Sequence, residues 1–428
     1  LEKGKIDDFV ISTVSELLAH RSKSCMISGL GRSDAEPPSL PPVTLPETTP
    51  PLPFPSSMPS SASTLPQPPA TFPLRWLLAN GSPAVRYRSL VEVAALPLSA
   101  DTRIGRVPYA SRQGWELLLH QHIDGTWGHG MLTVPGTVLG TKPAVGGIPG
   151  YRRLLELGWD PESAPLATAR RALFRLLPED NDPAFLYEFA KDAGSDPDLI
   201  SRGRQILREA AAAALAQAGY EADPRLRGAA RRIIDRMGAF LRSPAAEKPF
   251  IRVGNQHVLP LEASPPSFHT LVMLAYMPHF RSEYHDHMER LYHWLSLQLP
   301  RMAPIQQVGE THMIEQPHLA LGDILPTRHI MDADMPTALA WLEIMARLGY
   351  LRRNEGWGRL FDRLLDDRDR HGVWHPPRSV TMPDNVPDWV WPTMPLSDRQ
   401  AEADDYAVDV TFRLGLIAKL AGRPIELI

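Results

Sequence analysis

The 428-residue sequence holds a single cysteine, Cys25. No internal disulfide can form, and a zinc site built on several thiolates is excluded. Neither sign of charge is in excess: 45 Lys and Arg against 49 Asp and Glu leave a formal charge of -4, which offers no electrostatic footprint for nucleic acid. No run reaches the ~18 apolar residues that a membrane span needs. The opening LEKGKIDDFVISTVSELLAH lacks the apolar stretch and small-residue cleavage site of a signal peptide, so the expected location is the cytoplasm. Glycine-rich phosphate loops are missing: Gly146-Gly147-Ile148-Pro149-Gly150 lacks the G-x-G-x-x-G spacing, and no G-x-S-x-G elbow occurs. Proline is what the chain has in excess, 44 residues, and their placement organises it.

Residues 1–32 carry one short helical pattern, near 8–20, isolated from any partner. From residue 33 to 73 proline, serine and threonine dominate. Such a tract cannot sustain helix or sheet ladders and reads as a disordered linker, with PxxP sites for a partner as its lesser use. The folded domain is expected over 74–428, where apolar residues recur at i, i+3 and i+4 almost throughout. That gives about a dozen helices joined by short Gly, Pro and Asp loops. The best hairpin candidate is 250–261. Segments too apolar for a surface helix, such as 268–277 and 336–350, alternate with charged ones such as 358–370. An inner ring of apolar helices inside an outer amphipathic ring explains the alternation, and the predicted fold is an all-α (α/α) toroid.

Two loops share one spacing. Gln121-His122-Ile123-Asp124-Gly125-Thr126-Trp127 follows a helical pattern, and so does Arg368-Asp369-Arg370-His371-Gly372-Val373-Trp374. The glycine is expected to end the helix in a left-handed conformation, with the indole packed back over the helix end. Glutamine at the first position can hydrogen-bond the backbone of that turn. With these loops the chain resembles the terpenoid cyclase and prenyltransferase toroid superfamily, squalene–hopene cyclases in particular. The first loop is a complete QW motif of that group, and the second departs from it in Arg368. In the family these loops are structural clamps.

The resemblance implies a class II terpene cyclase, which protonates a double bond of a linear isoprenoid with the middle aspartate of a D-x-D-D-T-A stretch. Such an acid needs desolvation and a neighbouring carboxylate to stay protonated. The cavity beyond it must be apolar and aromatic, because π faces stabilise carbocations and water quenches them. Asp334, with Asp332 as its partner, stands about 40 residues before Trp374 as the motif requires. Asp404 and Asp405 form the alternative pair. Trp341, Trp389, Trp391 and Tyr276 are the expected cavity lining. The same reading implies a small hydrophobic substrate, peripheral contact with a membrane, and no cofactor beyond Mg2+ for a diphosphate substrate. Plain helix capping explains both aspartate clusters as well.

Two other readings compete. The histidines from His269 to His329 fit neither H-E-x-x-H nor a thiolate-assisted zinc site, so no metal site is expected. Glu310, His312 and Glu315 cluster in what reads as a loop and could serve acid–base chemistry on a sugar, since helical toroids also house polysaccharide lyases and glycosidases. The cavity separates these cases: an open polar one favours sugar and a closed apolar one favours isoprenoid. In the third reading the toroid is non-catalytic and binds a protein or lipid, and the aspartates only cap helices.

Overall fold

Short polar residues followed by proline start many of the helices. Asp196 and Asp223 precede Pro197 and Pro224, and each carboxylate accepts backbone N–H groups of the first turn. Ser82 does the same ahead of Pro83. The proline lacks only a donor that the first turn would leave unused.

The computed structural model describes residues 68–98, 102–135, 145–178, 185–253, 256–300, 304–308, 312–325, 330, 334–376, 386–397 and 403–428. The expected N-terminal helix and the tract from 33 to 67 lie outside them. From Pro69 onward the described elements belong to one unit. In chain order they begin with β1 (Ala70–Phe72), α1 (Leu74–Asn80), α2 (Pro83–Arg88) and a π turn over Ser89–Val93. A 3-10 segment (Ile104–Ala110) leads to α3 (Arg112–Leu119), α4 (Gly147–Glu156), α5 (Ala164–Arg175) and α6 (Phe189–Ala193). Next come α7 (Pro197–Gln217), α8 (Pro224–Arg242), α9 (Pro244–Glu247), β2 (Ile251–Val253) and β3 (Gln256–Val258). The chain continues through α10 (Phe268–Ala275), α11 (Pro278–Ser282), α12 (His285–Leu295), β4 (Ile305–Val308) and β5 (His312–Glu315). It ends with α13 (Met335–Arg347), α14 (Glu355–Asp366), α15 (Ala403–Leu420) and β6 (Ile425–Leu427).

The described residues are rich in helix, with three two-stranded sheets. Helix α4 packs on α7, α7 on α10, α10 on α13 and α13 on α15. Helix α15 then returns to the π turn after α2. Along α7, α10, α13 and α15 almost every side chain over several turns is buried. Helices α8 and α14 bury one face only; in α14 it is Trp357, Phe361, Leu364 and Leu365. The alternation of apolar and charged segments thus marks which helices lie inside.

Two expectations are corrected. The linker was expected to reach residue 73, but Ala70–Phe72 forms β1 and pairs in parallel with β6, Ala70 opposite Ile425. Phe72 is fully buried, with its ring where a Cβ on Gly415 would stand, so only glycine fits that turn of α15. The segment with His312 and Glu315, expected as a loop, is strand β5, antiparallel to β4. The hairpin within 250–261 forms as β2 and β3. Among the described residues no helix is long and apolar enough to cross a membrane.

Candidate functional site

The loop spacing builds two clamps. In the first, Gln121 Nε2 donates to the Gly125 carbonyl at 3.1 Å and to the Pro165 carbonyl, in the first turn of α5, at 3.0 Å. The buried Trp127 donates from its indole to Leu117 O at 2.9 Å, which satisfies a carbonyl in the last turn of α3. Gly125 has φ +87°, and a Cβ there would stand 2.6 Å from the backbone of α5. The glycine does not end the helix, as expected, but turns the loop after it: α3 stops at Leu119.

In the second clamp Arg368 takes the place of glutamine and reaches further. Its Nε donates to Leu365 O at 2.8 Å and its Nη1 to Thr71 O, in β1, at 2.7 Å. Gly372 has φ +75°, and the Trp374 amide donates to Thr411 Oγ1 of α15 at 3.0 Å. The first motif therefore ties the end of α3 to α5, and the second ties the end of α14 to β1 and α15.

The expected aspartates separate. Asp334 stands at the N-terminal cap of α13, exposed, and its carboxylate makes no capping bond. Asp332 and the side chain of Asp404 lie outside the described residues, as do Glu310 and the side chain of His312. Asp405 is half-buried in the first turn of α15, and Glu315 is exposed.

Of the aromatic candidates, Trp341 is sealed between Phe268 and Trp357, with ring centroids 6.3 and 6.0 Å away. Trp389 stacks on Phe268 at 4.2 Å. Trp391 and Tyr276 instead lie against guanidiniums, Arg153 at 5.6 Å and Arg347 at 4.3 Å from the ring centres. Those π faces already hold a cation.

The interior that these helices share is ionic. Glu156 of α4 accepts Arg413 Nη2 of α15 at 2.7 Å and Arg88 Nη1 of α2 on one oxygen, and Gln217 Nε2 of α7 at 2.7 Å on the other. The second arm of Arg413 reaches Glu343 of α13 at 2.6 Å, and Arg347 holds the other Glu343 oxygen at 2.9 Å. Arg88 continues to Glu92 in the π turn, at 2.5 and 3.0 Å. Burial alone would raise the Glu156 carboxyl, but Arg88 and Arg413 overcome it and bring it down to about 2. Glu343 moves the same way, with burial opposed by Arg413 and Arg347. Asp409, one turn before Arg413, goes in the other direction: burial pushes it up to about 6, although its Oδ2 accepts the Leu396 amide at 2.9 Å. Its Oδ1 is enclosed without a partner.

Beside this network lie four groups whose polar atoms are open. Arg152 is 3% exposed, and its Nε donates to Gln217 Oε1 at 2.8 Å. Among the described residues its two Nη groups have no hydrogen-bond partner, and they are not sealed in. The Tyr276 hydroxyl and the ring nitrogens of His318 share that condition. His269 has an enclosed Nδ1 without a partner and an open Nε2. The two imidazoles lie near-parallel with centroids 6.4 Å apart. Arg152 acts electrostatically on both His269 and Tyr276. Burial drives His318 down to about 4; burial, His318 and Arg152 hold His269 well below the usual histidine range. Burial raises the Tyr276 phenol. Groups this strongly desolvated that still keep accessible atoms mark a candidate recess among the helices.

Sequence reasoning considered these histidines only as metal ligands and did not single out Arg152. Tyr276 was expected at the cavity, though as an apolar wall. Two further clefts, of about 780 Å³ beside Asp286, Glu289 and His293 and about 360 Å³ beside Asp369, His371 and His375, include none of the expected acid or lining residues. Among the described residues no three His, Cys, Asp or Glu side chains converge as a metal site would require, so none is assigned as a magnesium ligand. Compared with known proteins, the chain matches no family model, no curated sequence and no solved structure.

Proposed function

We propose that residues 70–428 form an (α/α) toroid of the terpenoid-cyclase type whose recess carries out acid–base chemistry on a carbohydrate. The return of α15 to the π turn after α2, and the two clamps, support the toroid. The observation that carries the function is the polarity of the recess: open Arg152, Tyr276, His269 and His318 in place of an apolar wall. A neutral imidazole, His269 or His318, takes a proton from the substrate. Tyr276, kept protonated by burial, gives one to the leaving oxygen. Glu156 and Glu343 are held by arginines, so a carboxylate pair is not the catalytic unit in this reading.

Protonation-initiated cyclisation of an isoprenoid is the second reading, and one observation favours it. Asp409 is a desolvated carboxyl near pKa 6 on the helix that carries Asp404 and Asp405. Against it stand the enclosed Asp409 Oδ1 and the guanidiniums on Tyr276 and Trp391.

One experiment separates the two. The full chain is incubated with a panel of neutral and acidic polysaccharides and, in parallel, with squalene and with farnesyl and geranylgeranyl diphosphates. Cleaved sugar, lost in Tyr276→Phe and retained in Asp409→Asn, is the expected result. A cyclic isoprenoid lost in Asp409→Asn, with no sugar cleaved, would replace the first reading by the second.

A further inference from the structure

The charge balance of the recess narrows the substrate. Glu156 is the carboxylate nearest in sequence on the helix face of Arg152, one turn along α4, yet it does not pair with it. Both Glu156 oxygens are taken, one by Arg88 and Arg413 and the other by Gln217. Gln217 stands between them: it accepts from Arg152 Nε with its carbonyl and donates to Glu156 with its amide. A neutral side chain thus occupies the place where a counter-ion would sit. Arg152 carries its charge at 3% exposure against the cost of burial, with both Nη groups unpaired among the described residues and not enclosed.

A buried charge without a partner costs several kcal/mol by general experience, and such a site is stabilised when an opposite charge arrives with matching geometry. The open edge of a guanidinium offers two parallel N–H donors, which fit the two oxygens of a carboxylate. Glu156 and Glu343 act on Arg152 from a distance, but their oxygens are already held by Arg88, Arg413, Arg347 and Gln217. His269 and His318 are neutral imidazoles, and the Tyr276 phenol stays protonated. They supply hydrogen-bonding atoms for hydroxyl groups instead.

We infer that the ligand of this recess is an acidic sugar, whose carboxylate is received by the open Nη edge of Arg152 while its hydroxyls meet Tyr276, His269 and His318. This rests on the carbohydrate reading above and gives its substrate class. Neutral sugars lack the group that Arg152 needs, so they bind more weakly at the same site.

The test uses the full chain and reads the unfolding temperature during titration with D-glucuronate, D-glucose and inorganic phosphate at matched ionic strength. Glucuronate is expected to raise the unfolding temperature, as any ligand selective for the native state does, and glucose at equal concentration is not. Arg152→Lys keeps the charge but loses the fork and weakens glucuronate roughly ten-fold or more. Arg152→Met removes the unpaired Nη groups and loses the glucuronate response, and its unfolding temperature without ligand is read in parallel to show that it is folded. Equal responses to glucose and glucuronate, a glucuronate response that survives in Arg152→Met, or a phosphate response matching that of glucuronate overturns the assignment. The two proposals fail separately. Glucuronate binding that depends on Arg152, with no polysaccharide cleaved, removes the acid–base reading and keeps the anion site. Cleavage of neutral polymers with no glucuronate response removes the anion site alone.

Discussion

Arg413 and Glu156 are 257 positions apart in the chain, and their side chains meet at 2.7 Å with both almost wholly out of water. The contact ties α15 to α4 through the interior. It belongs to a set in which no carboxylate depends on one arginine alone, since Glu156 also holds Arg88 and Glu343 holds Arg347.

Removing one member leaves its partners buried and charged. Glu156→Gln is expected to destabilise the fold by about 3–5 kcal/mol, measured by urea unfolding. Glu289→Gln, at the half-exposed pair with Arg353, should cost no more than about 1 kcal/mol in the same assay. Equal effects would mean that the interior network contributes no more than a surface pair.

The pH dependence has two limbs of opposite sign. Glu156 and Glu343 titrate lower in the folded chain than in the unfolded one, so their contribution is present above 4.5. It is lost as pH falls from 4.5 toward about 2. Asp409 titrates higher when folded, so its contribution is complete below 3.8 and lost as pH rises to about 6. In Asp409→Asn the fall in stability between those two values should flatten, and the variant should be more stable than the parent at pH 7 by on the order of 3 kcal/mol. Urea unfolding midpoints at a series of pH values would show it.

The second clamp predicts a loss on approach to the motif. Arg368→Gln completes the Q-x-x-x-G-x-W pattern but shortens the side chain, so the bond to Thr71 O is broken. A cost of about 1 kcal/mol is expected in thermal or urea unfolding. Gain of stability would show that the pattern matters more than the reach.

In the first clamp, Gln121→Ala removes two bonds to carbonyls and should cost about 1–3 kcal/mol. Gly125→Ala should cost more, because its φ of +87° disfavours a side chain and the new Cβ meets the backbone of Ala169. Asp334→Asn, exposed and uncoupled from any cap bond, should leave the unfolding midpoint unchanged.

The helices were legible because burial leaves a strong mark on them. The alanine-rich run of α7 and the apolar stretch of α15 can only be interior, and both are. Strand β1 was hidden at the end of a proline tract, since three residues carry too little pattern and their partner is at the far end of the unit. In β4 and β5 glutamine and histidine masked the alternation. The buried charges were the least legible part. Arg88, Arg152 and Arg413 sit on helices at spacings that a solvated face would also show, and their burial depends on contacts such as the one between Arg88 and Glu156, 68 positions on. Local spacing identified the clamps because a turn is local. It could not identify charges whose meaning is set by the far side of the fold.

The pairing of Ala70–Phe72 with Ile425–Leu427 also orders events at the ribosome. During synthesis, strand β1 emerges first and then waits, with its ladder groups unpaired and Phe72 uncovered, until the chain around Gly415 and residues 425–427 has been made. Every helix between them is translated before the seam can close. Nascent chains cut short of β6 should therefore be the ones that chaperones hold and proteases clip near residue 72.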